Sequence, residues 1–149
     1  MSEIKKYNIR ELSAMFQLQS STIRYYEEVG ILTHIERTTS GQRIFTENHV
    51  NRLKTICCFK NAGMTISELQ KFFTYEADES QHLEDILQLL QDREKEMSEQ
   101  MLQMEKAHAH ILRKLHYYSD IKSCTENQLP LPQWDDYRDK TFSNFSKNK

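Results

Sequence analysis

Glycine and proline are scarce in this chain of 149 residues, which has three glycines and two prolines. Both residue types interrupt regular helices, so their scarcity predicts a mainly α-helical protein. No apolar run approaches the roughly 20 residues that a membrane-spanning helix needs. The first residues, MSEIKKYNIREL, also lack the apolar core of a secretion signal. We therefore expect a cytoplasmic protein with no membrane segment.

Cysteine is also sparse, because the chain has only three and two of them are adjacent. This spacing is a poor framework for disulfides and predicts reduced thiols. The length allows one compact domain and an extended element beside it.

The net charge of -2 is unevenly distributed. Residues 1–76 carry ten basic and eight acidic side chains, residues 77–120 carry five and ten, and residues 121–149 carry five and four. A slightly basic first half permits nucleic-acid binding, but an excess of this size does not demonstrate it.

Two short helices are predicted at the start of the chain. Asn8 and Glu11 have the spacing of a reciprocal helix cap, and the first helix follows them. A second helix is predicted from about Gln19 to Val29, because Gly30 suits the left-handed position after a helix end. Such a pair indicates a helix-turn-helix.

A small hairpin and two more helices are predicted next. Residues 38–41 read Thr-Thr-Ser-Gly, a turn cluster that favours a wing-like hairpin. Thr46 can cap a third helix running through Lys60. Thr65 can cap a fourth helix that ends at about Tyr75. Residues 1–76 are thus expected to form one domain.

A different period begins after this domain, and we expect a single long helix over residues 77–120. Apolar residues there recur at alternating steps of four and three, which is typical of a coiled-coil seam. Such a seam would be exposed on a lone helix, so a homodimer is expected; the alternative is a long helix packed on its own first domain. The positions are Leu83, Leu87, Leu90, Glu94, Met97, Met101, Met104, His108, Ile111, Leu115 and Tyr118. Eight of them are expected at the dimer interface: Leu83, Leu87, Leu90, Met97, Met101, Met104, Ile111 and Leu115.

Residues 121–149 are predicted to be a short, partly disordered tail. Pro130 and Pro132 break helix, and Trp134 and Tyr137 stand as isolated aromatics in a polar stretch. Residues 143–149 have a composition typical of disorder.

The second helix carries the residues best suited to contact DNA. A recognition helix enters the major groove by its N-terminal half, where small polar side chains reach bases or phosphates. Tyr26 is expected inside and Tyr25 outside, and an alternative for Arg24 is a surface ion pair with Glu28. The candidate DNA contacts are Ser20, Ser21, Thr22, Arg24, Tyr25, Arg37, Gln42, Arg43 and Lys60.

The run from Arg24 to Leu32, R-Y-Y-E-E-V-G-I-L, and the wing G-Q-R-I-F at residues 41–45 resemble the MerR family of bacterial transcription regulators. The resemblance extends over residues 7–75. It implies a winged helix-turn-helix domain on a long antiparallel coiled-coil dimerisation helix. It also implies a homodimer that binds a palindromic promoter operator and distorts an overlong spacer, so that RNA polymerase engages both promoter elements. No cofactor is expected.

Several positions depart from the family pattern. Relatives usually have Gly and Ser where this chain has Gln17 and Gln19, and they often have Arg at the position of Ser21. Gln42 replaces the aromatic residue of the wing. The fold tolerates these changes, but the operator sequence cannot be transferred from relatives.

Cys58 is a candidate effector-sensing residue. The segment C-F-K-N-A-G-M at residues 58–64 resembles the C-L-R-x-x-G-M of a branch of the family that responds to aldehydes and other electrophiles. Lys54 lies one helical turn earlier, where an ammonium favours the reactive thiolate. The alternative is an inert thiol, and Cys57 is expected to be a small buried hydrophobe.

The sequence is also compatible with other functions. No metal site is expected, because the tail offers one thiol, Cys124, and metal-sensing relatives use three. Alternatives are a metal- or small-ligand-responsive regulator of the same family and a coiled-coil adaptor with a non-binding head. An enzyme with Cys58 as nucleophile is disfavoured, because no histidine lies near it in the sequence.

Overall fold

The computed structural model describes residues 3–145. Within that range the chain forms two compact units, one ending at Lys95 and the other beginning at Glu96. We refer to the first unit as the head. No helix in the described part of the chain combines the length and apolar character needed to cross a bilayer.

The head begins with a two-residue strand and two short helices. Strand β1 is Lys6–Tyr7, helix α1 is Ile9–Phe16 and helix α2 is Ser20–Glu28. Glu11 donates its backbone N–H to Asn8 Oδ1 at 2.8 Å, and Glu11 Oε1 accepts from the backbone N–H of Asn8 at 3.0 Å. The predicted reciprocal cap of α1 is therefore confirmed.

The turn between α1 and α2 passes through Gln17, whose φ is 55°. Residues with a Cβ are strained in this left-handed conformation by about 1 to 2 kcal/mol. Gln19 then takes the N-cap position of α2, but its side chain makes no capping hydrogen bond. The two family departures therefore lie at positions where Gly and Ser would fit the backbone better.

A small antiparallel sheet forms the wing. Strands β2, Glu36–Arg37, and β3, Arg43–Thr46, are joined by a turn, and β3 lies between β1 and β2. The turn is closed by a hydrogen bond from Thr38 N to Gln42 O at 2.8 Å, and Gly41 has a φ of +87°. The predicted hairpin is present, and β1 extends it to three strands.

Two further helices complete the base of the head. Helix α3 is Glu47–Asn61 and helix α4 is Ile66–Glu76, and both lie within about a residue of their predicted limits. Thr46 donates its backbone N–H to His49 Nδ1, so the cap of α3 uses a histidine at the third helical position. Thr65 and Glu68 form the predicted cap of α4.

All of these elements share one hydrophobic core. The side chains that are fully shielded from solvent come from every layer of the head: Leu12 from α1, Ile23 from α2, Phe45 from β3, Leu53 and Ile56 from α3, and Leu69 from α4. Ile31 and Leu32 are also fully buried, because the backbone N–H groups of both residues bond to Tyr26 O and direct them inward after α2. The wing and both reader helices are therefore fixed to one core.

Helix α5, Leu83–Glu126, is the longest element of the chain. It begins after a 3₁₀ turn at Glu79–Gln81 and ends past residue 120, where the sequence pattern had placed its end. Leu90 packs against the head core, together with Ile86 and Leu89. The coiled-coil positions Leu87, Met101 and Met104 are 56%, 60% and 71% exposed.

The prediction of isolated tail aromatics was wrong. Tyr117 on α5 lies edge-on to Trp134 and to Tyr137, at 5.4 and 5.3 Å between ring centroids. The His116 ring stacks on Phe142 at 3.9 Å. The tail therefore folds back on the end of α5. The chain reverses before the prolines, at Gln128, whose φ is 55°, and Leu129 N donates to Cys124 O at 2.8 Å. The last four residues of the predicted disordered segment lie outside the described range.

Candidate nucleic-acid interface

Helix α2 has two distinct faces. Ile23 is fully buried and Tyr26 is 6% exposed, whereas Tyr25 is 45% exposed. Ser21 and Arg24 are also exposed. The prediction that Tyr26 lies inside and Tyr25 outside is confirmed. Across residues 3–145, no ion pair joins Arg24 to Glu28, so the alternative role for Arg24 is not realised.

A cleft with three arginines opens between α1, α2 and the wing. Arg10, Arg24 and Arg43 line it, with Asn8 and Ile9 at the start of α1 and Gly41 and Gln42 in the wing turn. No carboxylate belongs to the lining. Three guanidinium groups around one concave surface create a positive potential suited to the phosphates of a nucleic acid.

Two wing arginines are anchored to α2 through Glu27. Arg43 Nε donates to Glu27 Oε1 at 2.9 Å, and Arg37 Nη2 donates to the same oxygen at 3.2 Å. Arg37 Nη1 also donates to the carbonyl oxygen of Gly41 at 3.1 Å. Because Arg43 uses only its Nε in this contact, its two Nη groups stay directed by the pair and can serve a phosphate. Glu27 thus orders the wing against the reader helix before any ligand binds.

Arg10 and Glu27 were not among the predicted site residues. Arg10 is exposed on α1, whose buried residue is Leu12. Its proximity to Arg43 depends on β3 pairing with β1, in the register Lys6–Thr46 and Tyr7–Phe45. A two-residue strand carries almost no sequence signal, so this proximity could not be predicted.

The other predicted DNA contacts do not all line the cleft. Ser20 and Thr22 are half-buried on α2, and Ser21 is exposed with its Oγ 3.4 Å from Gln19 Oε1. Lys60 is exposed in the last turn of α3 and does not line the cleft. The structure therefore brings Arg24, Gln42 and Arg43 together, and leaves Lys60 apart from them.

The three cysteines are free thiols in different environments. Cys57 is half-buried rather than fully buried, and burial raises the pKa of its thiol. Cys58 is exposed and so is Lys54. Over the described range, no group of three or more His, Cys, Asp or Glu side chains is arranged to hold a metal ion.

Comparison with known protein families accounts for most of the chain. Residues 7–76 match the model of the MerR HTH family regulatory protein, and residues 50–114 match the MerR DNA-binding model. The chain belongs to the MerR family. The resemblance based on the reader helix and wing is therefore confirmed.

Curated MerR relatives include regulators from two bacteria. The HTH-type transcriptional regulator AdhR of Bacillus subtilis is 36% identical over 67 residues, which cover 45% of this chain and 48% of AdhR. The HTH-type transcriptional regulator ZntR homolog of Haemophilus influenzae is 32% identical over 94 residues, covering 63% of this chain and 67% of that protein. The chain spans about half the length of the first curated relatives that it matches.

Solved MerR structures share the fold. HiNmlR, a MerR family regulator lacking the sensor domain and bound to promoter DNA, is 23% identical with a TM-score of 0.70, over 80% of this chain and 94% of HiNmlR. A MerR family regulator from Bacillus thuringiensis is 28% identical with a TM-score of 0.63, over 75% and 98% of the two chains. The fold is thus a mainly helical, winged helix-turn-helix domain followed by a long helix.

Proposed function

We propose that this MerR protein regulates transcription by binding promoter DNA as a homodimer, with α2 in the major groove and the wing on the adjacent backbone. The cleft lined by Arg10, Arg24 and Arg43 is the observation that carries the proposal. Ser21 and Tyr25, exposed on the same helix as Arg24, are free to contact base edges or sugars.

The three arginines have different roles in positioning the DNA backbone. Arg24 on α2 and Arg10 at the start of α1 come from different helices and line the same cleft, so they suit neighbouring phosphates. Arg43 is held by Glu27 at 2.9 Å and presents the wing to the backbone in a fixed direction. Phosphate contacts of this kind set orientation and affinity, while sequence preference comes from base edges and DNA shape.

The long helix supplies the second half of the proposal. Its exposed coiled-coil stripe needs a partner, and the same stripe on a second copy is complementary to it. Antiparallel pairing would give a twofold dimer with two α2 helices, matching a palindromic operator. Distortion of the promoter spacer and engagement of RNA polymerase follow from the MerR resemblance.

Arg24→Ala tests the DNA interface. The variant should bind all DNA sequences more weakly and should lose about one phosphate contact from the salt dependence of its affinity. Fluorescence anisotropy against salt concentration measures both effects. Lys71→Ala is the matched control, because Lys71 is an exposed cation on α4 away from the cleft.

The competing interpretation is an adaptor whose head does not bind DNA. It predicts weak, sequence-independent binding to the protein's own promoter region, and Arg24→Ala would then behave as Lys71→Ala does. Equal affinities and equal salt slopes for the two variants would remove Arg24 from the interface.

We further propose that Cys58 senses electrophiles. Its thiol is exposed near the end of α3, with exposed Lys54 one turn earlier. With formaldehyde, the thiol sulfur would form a bond to carbon, the carbonyl π bond would open, and the thiol proton would pass to the oxygen. The hydroxymethyl group adds bulk beside the turn into α4, where a small shift could switch the packing of the head.

Three serine variants separate this response from DNA binding. Cys58→Ser should bind DNA normally and lose the aldehyde response of a promoter reporter, while Cys57→Ser and Cys124→Ser should keep it. Mass spectrometry after brief exposure should find the first adduct on Cys58. A Cys58→Ser reporter that responds like wild type would remove the sensor role and leave the DNA-binding proposal intact.

A further inference from the structure

The first turns of α5 are tied to the base of the head by a charged contact. Arg93 Nη2 donates to both carboxylate oxygens of Glu68, each at 3.3 Å. The Arg93 side chain is 13% exposed and that of Glu68 is 29% exposed. Both residues belong to the head unit, one on α5 and the other in the first turn of α4.

Glu68 is itself held in place by the cap of α4. Its Oε1 accepts from Thr65 N at 3.3 Å and from Thr65 Oγ1 at 3.2 Å. The carboxylate that receives Arg93 is therefore pinned to the N-terminus of α4 on its other side. Because the carboxylate cannot swing freely, a guanidinium bound to it is held in a defined position.

Gly63 makes room for the guanidinium in the turn between α3 and α4. A Cβ on this residue would lie 3.2 Å from Arg93 Nη1, and the φ of Gly63 is +90°. A side chain at Gly63 would therefore crowd the guanidinium, so the turn and Arg93 are close neighbours. Gly63, Glu68 and Arg93, which we call the latch, join the α3–α4 turn, the start of α4 and the first part of α5.

We propose that Arg93 is a positioning residue: the latch fixes the direction in which α5 leaves each head, and so sets the half-site spacing that the dimer accepts. The inference rests on the proposed DNA-binding homodimer. Apolar contacts of α5 with the core, from Ile86, Leu89 and Leu90, are non-directional and tolerate rotation of the helix. The hydrogen bonds from Arg93 to Glu68 depend on direction, because the planar guanidinium carries its donors at fixed angles and Thr65 holds the carboxylate on its other side.

Half-site spacing is the readout, because it depends on the angle between the heads. Anisotropy should be measured on a duplex with one half-site and on duplexes with two half-sites whose separation changes by single base pairs. Wild-type protein should prefer one separation sharply. Arg93→Gln should bind the single half-site normally, and its preference between the best and next separation should fall by roughly tenfold, the factor that one charged hydrogen bond contributes.

Matched variants separate positioning from stability. Ile56→Val removes one methyl group from the core and leaves Gly63, Glu68 and Arg93 unchanged, so it should lower the melting temperature and keep the spacing preference. Glu68→Gln keeps an amide oxygen that can accept from Thr65 N but removes the charge of the pair, so it should weaken the spacing preference as Arg93→Gln does. If Arg93→Gln does not fold by circular dichroism, Arg93→Lys carries the same expectation, because an ammonium keeps the charge without the planar fork.

The outcomes are distinct. A folded Arg93→Gln protein with the wild-type spacing profile would overturn the latch, whatever its melting temperature. Equal loss of affinity at every separation and on the single half-site would also overturn it. The latch would then support the DNA-binding helix α2 rather than set the spacing. If wild-type protein does not bind the half-site specifically, the proposed function on which the latch depends is rejected instead.

Discussion

The head and the long helix use apolar residues in opposite ways. In the head, Leu12, Ile23 and Leu53 are completely shielded by other parts of the same chain. On α5, Met101 and Met104 are 60% and 71% exposed. The head therefore obtains its core from within, whereas these stripe residues are left exposed by the described part of the chain, and we expect a second copy to bury them. The stability of the head should be independent of protein concentration, and that of the stripe should depend on it.

The largest expected effect comes from placing charges on the coiled-coil stripe. Met101→Asp combined with Met104→Asp would bury unpaired carboxylates between two helices, so the protein should become monomeric and lose operator binding. Light scattering at micromolar concentration and anisotropy measure the two losses. Leu102→Asp with Gln103→Asp, which adds the same charges off the stripe, should remain dimeric. A monomeric wild-type protein at this concentration would show that the exposed stripe does not hold a dimer.

A cavity in the head should lower its stability without changing the assembly state. Leu53→Ala removes a fully buried side chain from α3 and should lower the free energy of unfolding by about 2 to 5 kcal/mol. The variant should stay dimeric at temperatures where the head is folded, because the stripe is unchanged. Chemical denaturation followed by circular dichroism gives the energy, and sedimentation gives the assembly state. Dissociation of the folded variant would show that the two regions are not separable in this way.

The packed tail can be tested by pH. Burial and the hydrogen bond to Asp120 raise the pKa of Tyr137 to about 12 from an ordinary value of 10.0. The folded state therefore keeps a proton that the unfolded state loses, so the contribution of Tyr137 to stability is complete below pH 10 and is lost as the pH rises toward 12. The tyrosinate absorbance of wild type minus that of Tyr137→Phe should titrate late. A difference curve centred near pH 10 would place Tyr137 in solvent.

The smallest expected effect concerns the turn before α2. Gln17→Gly relieves the left-handed strain at a φ of 55° but gives the unfolded chain more freedom, so a net gain of about 0.5 to 1 kcal/mol is expected. Thermal unfolding of the head measures it, with exposed Gln91→Gly on α5 as a control that should be destabilising. A loss of stability in Gln17→Gly would mean that the glutamine side chain makes a compensating contact.

Local sequence signals predicted much of the head. The caps at Asn8 and Thr65 depend on residues three apart, and the burial of Tyr26 follows from helical periodicity. The contacts that complete the candidate site are of another kind. Arg10 reaches the cleft through a two-residue strand pairing, and Glu27 meets Arg43 across the wing. These contacts depend on how the elements close in space, which no local pattern encodes.

The packing of the tail was missed for the same reason, because it depends on contacts between residues far apart in the sequence. Trp134 and Tyr137 have no periodic relation to Tyr117, so nothing in their spacing indicates that the three rings meet. The helix was predicted to end at residue 120 and ends at Glu126, and no local pattern predicted the return of the chain. The long helix was the clearest prediction of the second half, because an apolar period depends only on local spacing. Its pairing in a coiled coil stays a prediction.

The division of α2 into an inward and an outward face has a consequence for the history of such regulators. Ile23 and Tyr26 are committed to the core, while Ser21, Arg24 and Tyr25 take almost no part in it. Substitutions at exposed positions usually change stability by less than about 0.5 kcal/mol. After gene duplication, substitutions on the outward face can therefore change its DNA contacts without destabilising the fold. A few substitutions at exposed positions can change which promoters are bound, while selection maintains the buried residues and, with them, the fold.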